Sequence, residues 1–237
     1  MTPNLQDARL IARFQRRIGR VFKQRCFYLF VALLALIIAV PFVDDAGPGR
    51  IVLQVLHVLV LTASVAAVGR TTFPFVVALL LGIPALGFQI AGGNVDDTGA
   101  FVTLSSWFYL AFYLVAVVYL MRYVFSPKVM TDDKLFGSAA AYLMLGVMFA
   151  VLYALAQRYD PGAFGAGPGD PPRAFFDLLY MSFGVLTSTG PGDIVIASRK
   201  VRAFVILEQV TGVLFVAILI ARLAGIYPPK VETDGGV

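Results

Sequence analysis

Residues 173–193 read Arg173-Ala-Phe-Phe-Asp-Leu-Leu-Tyr-Met-Ser-Phe-Gly-Val-Leu-Thr-Ser-Thr-Gly-Pro-Gly-Asp193. The apolar part, 174–186, is too short to cross a bilayer: at 1.5 Å per residue it reaches about 20 Å, against roughly 30 Å of hydrocarbon. It runs directly into three hydroxyl residues, two glycines, a proline and an acid, and a full-length apolar run follows. Backbone this irregular survives at membrane depth only if it is buried in protein or lines water. A half-length helix followed by a re-entrant loop satisfies that condition, and an ion pathway would supply the water. Several copies of such a loop can surround an ion with carbonyl and hydroxyl oxygens that replace its hydration shell.

The rest of the chain has the composition of a protein solvated by lipid. Of 237 residues, 59% are hydrophobic and 14% are charged, against roughly 25% charged in an ordinary soluble domain. Spans are expected near 26–43, 51–69, 72–90, 102–125, 136–156 and 200–224. The fold class is therefore an all-α membrane protein with six transmembrane helices, and a re-entrant pore helix and filter loop between the fifth and sixth. The first span is longer than a signal-peptide core and has no good cleavage site before Asp44 and Asp45, so it is read as a membrane helix. The lone His57 and Cys26 lie inside apolar runs and are read as packing residues.

Charge sets the orientation. Arg9, Arg13, Arg16, Arg17, Arg20, Lys23 and Arg25 precede the first span with only Asp7 against them, a cytoplasmic signal. Six spans then put Arg70, Arg122, Lys128, Lys134, Arg222 and Lys230 inside too, so that thirteen of nineteen basic residues are cytoplasmic. Asp44, Asp45, Asp96, Asp97, Asp160 and Asp170 fall outside, and Arg199, Lys200 and Arg202 dissent. Ile11, Phe14, Ile18 and Val21 recur at helical spacing in the leader; it is either an amphipathic helix on anionic lipid or a solvated basic tail. The positive charge clusters beside a span with no recognition motif, so no nucleic-acid partner is expected. Arg122 is the only basic residue of the fourth span, too few for a voltage sensor. Thr131, Asp132 and Asp133 suit the cap of the fifth span, and the Pro- and Gly-rich stretch 160–172 reads as an exposed loop. The organisation expected is a basic cytoplasmic leader (1–25), a four-helix membrane domain (26–125), a pore domain (126–226) and a short cytoplasmic tail (227–237).

Between about 130 and 226 the order span, short helix, Ser188-Thr189-Gly190-Pro191-Gly192-Asp193, span resembles the pore module of potassium channels, whose filter runs Thr-Val-Gly-Tyr-Gly-Asp. The flanks Phe176-Asp177-Leu178-Leu179-Tyr180-Met181-Ser182-Phe183, Leu207-Glu208-Gln209-Val210-Thr211-Gly212 and Ile218-Leu219-Ile220-Ala221-Arg222-Leu223 are similar to bacterial six-span channels without a voltage sensor. The resemblance implies a homotetramer in the cell inner (plasma) membrane with both termini cytoplasmic, passing potassium or another monovalent cation without a bound cofactor. It implies that oxygens of Thr187, Ser188, Thr189, Gly190 and Pro191 ligate the ion, that Gly192 makes the exit turn, and that the filter is the only metal-binding feature. Asp193 either concentrates cations at the outer mouth or caps the filter; Asp177 is a support candidate, and Glu208, too costly to face lipid, either supports the filter from behind or bonds to Gln209 and neighbouring backbone. Gly212 is either a hinge or a close-packing point, and Thr211, Phe215, Ile218 and Arg222 are candidates to line an inner cavity.

This filter departs from the pattern. Proline in the aromatic position keeps its carbonyl, loses its N–H and restricts the residue before it, a restriction that Gly190 absorbs best. Without the tyrosine ring and hydroxyl, an altered filter with weakened potassium preference is expected. Gly-Pro-Gly also occurs at 47–49 and 167–169, where it reads as type II turn chemistry, so an ordinary outer turn is the plain alternative for 190–192. Other readings are a non-conducting accessory or assembly protein and a small-solute transporter, although no internal repeat is visible. An intramembrane enzyme could use Ser182, Ser188 or Thr189, but it would lack a base; the chain is not expected to be an enzyme.

Overall fold

The computed structural model describes residues 25–42, 48–68, 72–94, 99–126, 131–165, 172–190 and 192–226. The basic leader before Arg25, Lys128, Asp44, Asp45, Asp96, Asp97, Asp170, the Gly-Pro-Gly at 167–169, Pro191 and the tail after Ile226 lie outside them. Among the described residues the chain is all-helical, with seven α-helices: α1 Arg25–Ala39, followed by a 3₁₀ turn Val40–Phe42, α2 Pro48–Val68, α3 Thr72–Asn94, α4 Ala100–Val124, α5 Asp132–Tyr159, α6 Phe175–Leu186 and α7 Arg199–Ile226. Four stretches among the described residues are long and apolar enough to cross a membrane: Arg25–Phe42, Ala100–Val124, Asp132–Tyr159 and Arg199–Gly225. In α2 and α3 the apolar stretches are shorter, Val55–Ser64 and Leu79–Gly92.

Helix α5 starts before its apolar core, because Thr131 caps it. The Thr131 hydroxyl accepts from the Lys134 N–H at 3.4 Å, and Asp132 and Asp133 occupy the first turn, where negative charge complements the helix dipole. Pro48 and Gly49 open α2 instead of forming the expected turn, and Gly47 is outside the described residues. Proline suits a first helical position because its missing N–H has no partner there anyway.

Helix α5 is the most enclosed of the four apolar spans; it packs against α1, α4, α6 and α7. Helix α1 buries the stripe Cys26, Leu29, Leu33 and Leu36, continued by Val40 beyond its end and spaced by three or four residues, in a seam against α2 and α5. At one end of that seam Asp133 joins three helices, accepting from the Cys26 N–H at 3.1 Å and the Tyr123 hydroxyl at 2.6 Å. On the far side α3 is linked to α4 by the Ser105 hydroxyl on the Ala85 carbonyl (2.8 Å) and the Tyr109 hydroxyl on Gln89 (2.5 Å). His57 stands beside Tyr109, with ring centroids 5.3 Å apart, and Cys26 is buried.

The described part of the loop after α5 is only partly exposed, contrary to the expectation for 160–172. Ala163 and Phe164 are buried. Phe164 meets Tyr153 edge to face at 5.7 Å, and the Ala163 carbonyl accepts from the N–H of Ala197 at 2.9 Å. This clasps the segment leading into α7 against the turn that follows α5. A second clasp pairs Gln157 with the Arg173 backbone in both directions, at 2.9 and 3.1 Å. The half-length helix α6 is thereby pinned at both flanks between two long apolar helices.

Candidate functional site

Helix α6 is 12 residues long and ends where Thr187, Ser188, Thr189 and Gly190 turn back on it. The N–H of Thr187 donates to the Phe183 carbonyl (3.0 Å) and that of Ser188 to Val185 (2.9 Å). Those of Thr189 and Gly190 both converge on the Gly184 carbonyl, each at 2.9 Å. The turn needs left-handed backbone twice, φ 61° at Ser188 and 66° at Gly190. Glycine takes this conformation freely, whereas for serine it costs roughly 1–2 kcal/mol, the kind of local strain that gathers at functional sites.

These bonds fix where the carbonyls point. No peptide in the described residues is cis, and in a planar trans peptide the C=O is directed opposite to the N–H. With the N–H groups of Ser188, Thr189 and Gly190 aimed back at α6, the carbonyls of Thr187, Ser188 and Thr189 face away from it. All four residues 187–190 are exposed. The threonine hydroxyls serve chiefly as braces: Thr187 Oγ1 donates to the Phe183 carbonyl at 2.7 Å, lies 3.0 Å from Thr189 Oγ1, and Thr189 Oγ1 is 3.2 Å from the Gly184 carbonyl. The outward set of oxygens is therefore mainly backbone.

Gly192 and Asp193 are exposed beyond the turn. Asp193 makes no hydrogen bond among the described residues. Asp177 lies in the first turn of α6, about 15 Å along the axis from Thr187 at 1.5 Å per residue. Asp177 is not brought to the loop.

Glu208 is. It is fully buried, with Oε1 2.5 Å from Ser182 Oγ on α6 and Oε2 2.5 Å from the Tyr153 hydroxyl on α5. Ser182 Oγ also lies 2.8 Å from the Gly146 carbonyl of α5. One carboxyl thus ties together all three helices around the loop. The C-terminal end of α6 is held just as closely. The Leu186 carbonyl accepts from the Tyr142 hydroxyl at 3.1 Å, and a Cβ on Gly212 would lie 2.2 Å from that same oxygen. Gly212 is a contact point between α7 and the end of α6, inside an unbroken helix. Gly146 is the corresponding point on α5, where a Cβ would meet the Phe183 ring at 2.7 Å.

Of the candidates along α7, Phe215 is buried, 5.4 Å from the Tyr142 ring and 6.4 Å from Phe125, while Ile218 is exposed. Arg222 donates to the Ser126 carbonyl and lies over the Phe125 ring at 5.6 Å. Tyr142, Gly146 and Tyr153 were not anticipated from sequence. Their spacings of four and eleven residues nonetheless put them on one face of α5.

Residues 141–227 match an ion-channel family model. The match runs from α5 through α6 and the loop to the end of α7, and leaves the first 140 residues unmatched. No match was found among curated proteins or among solved structures. The matched segment and the four apolar helices mark a membrane protein with an ion-channel-like region.

Proposed function

We propose that the chain is a passive, non-voltage-gated cation channel, formed by four copies around a central axis, with six spans per copy and residues 187–192 as its filter. The observation that carries this reading is the strained turn after α6, whose Thr187, Ser188 and Thr189 carbonyls face away from the helix that bears them. Facing carbonyls from four copies would replace the hydration shell of a monovalent cation. The apolar surface of α7 supports the same assembly: Leu207, Val210, Leu214 and Ile218 are exposed along one face, with room for both lipid and neighbouring copies. Arg122 is the sole basic residue in the last turn of α4, so the gating stimulus is not voltage.

Pro191 replaces the aromatic residue expected in a potassium filter, so discrimination among monovalent cations is weak. The test is flux from the purified protein in liposomes over a series of monovalent cations, alongside a particle image that counts copies. Fourfold particles passing several cations are expected, and Pro191→Tyr should raise the potassium preference. An ion series unmoved by that variant counts against the filter alignment. Fourfold particles with no flux under any condition would favour the accessory-subunit reading.

A further inference from the structure

The node at Glu208 is short of hydrogens unless the acid itself carries one. Ser182 has a single hydroxyl proton, yet its oxygen lies 2.8 Å from the Gly146 carbonyl and 2.5 Å from Glu208 Oε1. Both are within hydrogen-bonding distance for O–H···O pairs. A backbone carbonyl can only accept, and an ionised carboxylate can only accept. With Glu208 ionised, one of the two short contacts would set lone pairs against lone pairs. With Glu208 protonated, the count closes: Glu208 Oε1–H donates to Ser182 Oγ, Ser182 donates to the Gly146 carbonyl, and Tyr153 donates to Oε2. Short distances alone suit a carboxylate as well as an acid; it is the hydrogen count that separates them.

The surroundings agree. Glu208 and Ser182 are both fully buried, and among the described residues Glu208 has no hydrogen-bond or ion-pair partner except Ser182 and Tyr153. The titratable groups facing it are Tyr153 and, more distantly, Tyr142 from α5, while α6 presents Ser182; none of these supplies positive charge. A carboxylate without a cation in such a place carries a desolvation cost of several kcal/mol.

We infer that Glu208 is a positioning residue held as the neutral acid, and that its proton is the link that keeps α6 seated against α5 and α7. Loss of that proton to solvent at alkaline pH leaves Ser182 with two acceptors for one hydrogen, so one contact opens and α6 loses one of the restraints that seat it beneath the turn. Flux through the loop, where the inference rests on the channel reading, falls as pH rises. Glutamine keeps an N–H donor toward Ser182 and a carbonyl acceptor for Tyr153, with one further N–H that the neutral acid lacks, and it does not ionise, so Glu208→Gln keeps the node and removes its sensitivity to pH.

The test is infrared difference spectroscopy of the purified full chain in H2O and D2O, with cation flux measured on the same preparations. At neutral pH the wild type should show a deuterium-sensitive carboxylic-acid carbonyl band that Glu208→Gln lacks. Tyr153→Phe, which removes one donor to that carbonyl, should shift the band to higher frequency. Wild-type flux should be lost as pH is raised, and Glu208→Gln should retain it. Absence of the band, or a band unmoved in Tyr153→Phe, overturns the inference even if the protein conducts. A parallel alkaline loss in wild type and Glu208→Gln overturns the pH link. A band behaving as expected in a protein that passes no ions leaves the neutral acid standing and removes the channel reading instead.

Discussion

Gly212→Ala is the perturbation whose cost can be worked most directly from the geometry. A Cβ at this position would lie 2.2 Å from the Leu186 carbonyl oxygen and 3.0 Å from its carbon. These are backbone atoms and cannot rotate away as a side-chain tip would. Restoring an ordinary separation of about 3.5 Å means parting α7 and the end of α6 by about 1 Å. Overpacking of this kind costs about 1–3 kcal/mol. The same carbonyl also accepts from Tyr142, and moving it loosens a bond worth about 1 kcal/mol. The expected loss is therefore about 2–4 kcal/mol of unfolding free energy, measured by reversible denaturant titration in mixed micelles. Gly225→Ala is the control, since nothing lies within 4 Å of its Cβ position; its stability should stay at or slightly above wild type. Equal stability of Gly212→Ala and wild type, or an equal fall in both variants, would refute the reasoning.

Three further outcomes follow from the same contacts. Tyr142→Phe removes the donor to Leu186 and should lower unfolding free energy by about 1 kcal/mol; combined with Gly212→Ala the losses should be less than additive, because both act on one carbonyl. Thr131→Ala should cost about 1 kcal/mol and speed amide exchange in the first turn of α5, leaving exchange near Tyr153 unchanged. Asp193→Asn should reduce cation flux at low ionic strength and converge with wild type at high salt, where the exposed charge is screened; a deficit that persists unchanged at high salt speaks against an electrostatic role.

Much of this architecture is legible in hydropathy, because lipid demands long apolar runs and a helix too short to span stands out against them. The run 174–186 predicts α6 to within a residue, and Thr131 announces the start of α5 through its own side chain. The conformational freedom needed at Gly190 is legible too, whereas the left-handed backbone of Ser188 is not, since nothing in a serine announces it. What surrounds the turn is not legible either. Helix α5 is apolar on every side, so periodicity gives no direction to the face holding Tyr142, Gly146 and Tyr153. Glu208 advertises that it needs a partner in an apolar setting, but nothing in the sequence names Ser182 and Tyr153. Pro48 shows the limit from another side: Pro-Gly is equally at home in a type II turn and at a helix start, and only tertiary context chooses. Phe164 lies in a stretch read as loop from its glycines and prolines, and is buried because an aromatic ring finds Tyr153 to cover it.

Helix α5 meets α1 and α4 as well as α6 and α7, and the Phe125–Ser126 corner adds a direct touch to α7. Helix α5 thus lies between the amino-terminal helices and the turn after α6, with that corner as a second, smaller bridge. An axial slide or rotation of α5 would drag Tyr142, Gly146 and Tyr153 together, and with them the restraints they place on α6 and α7.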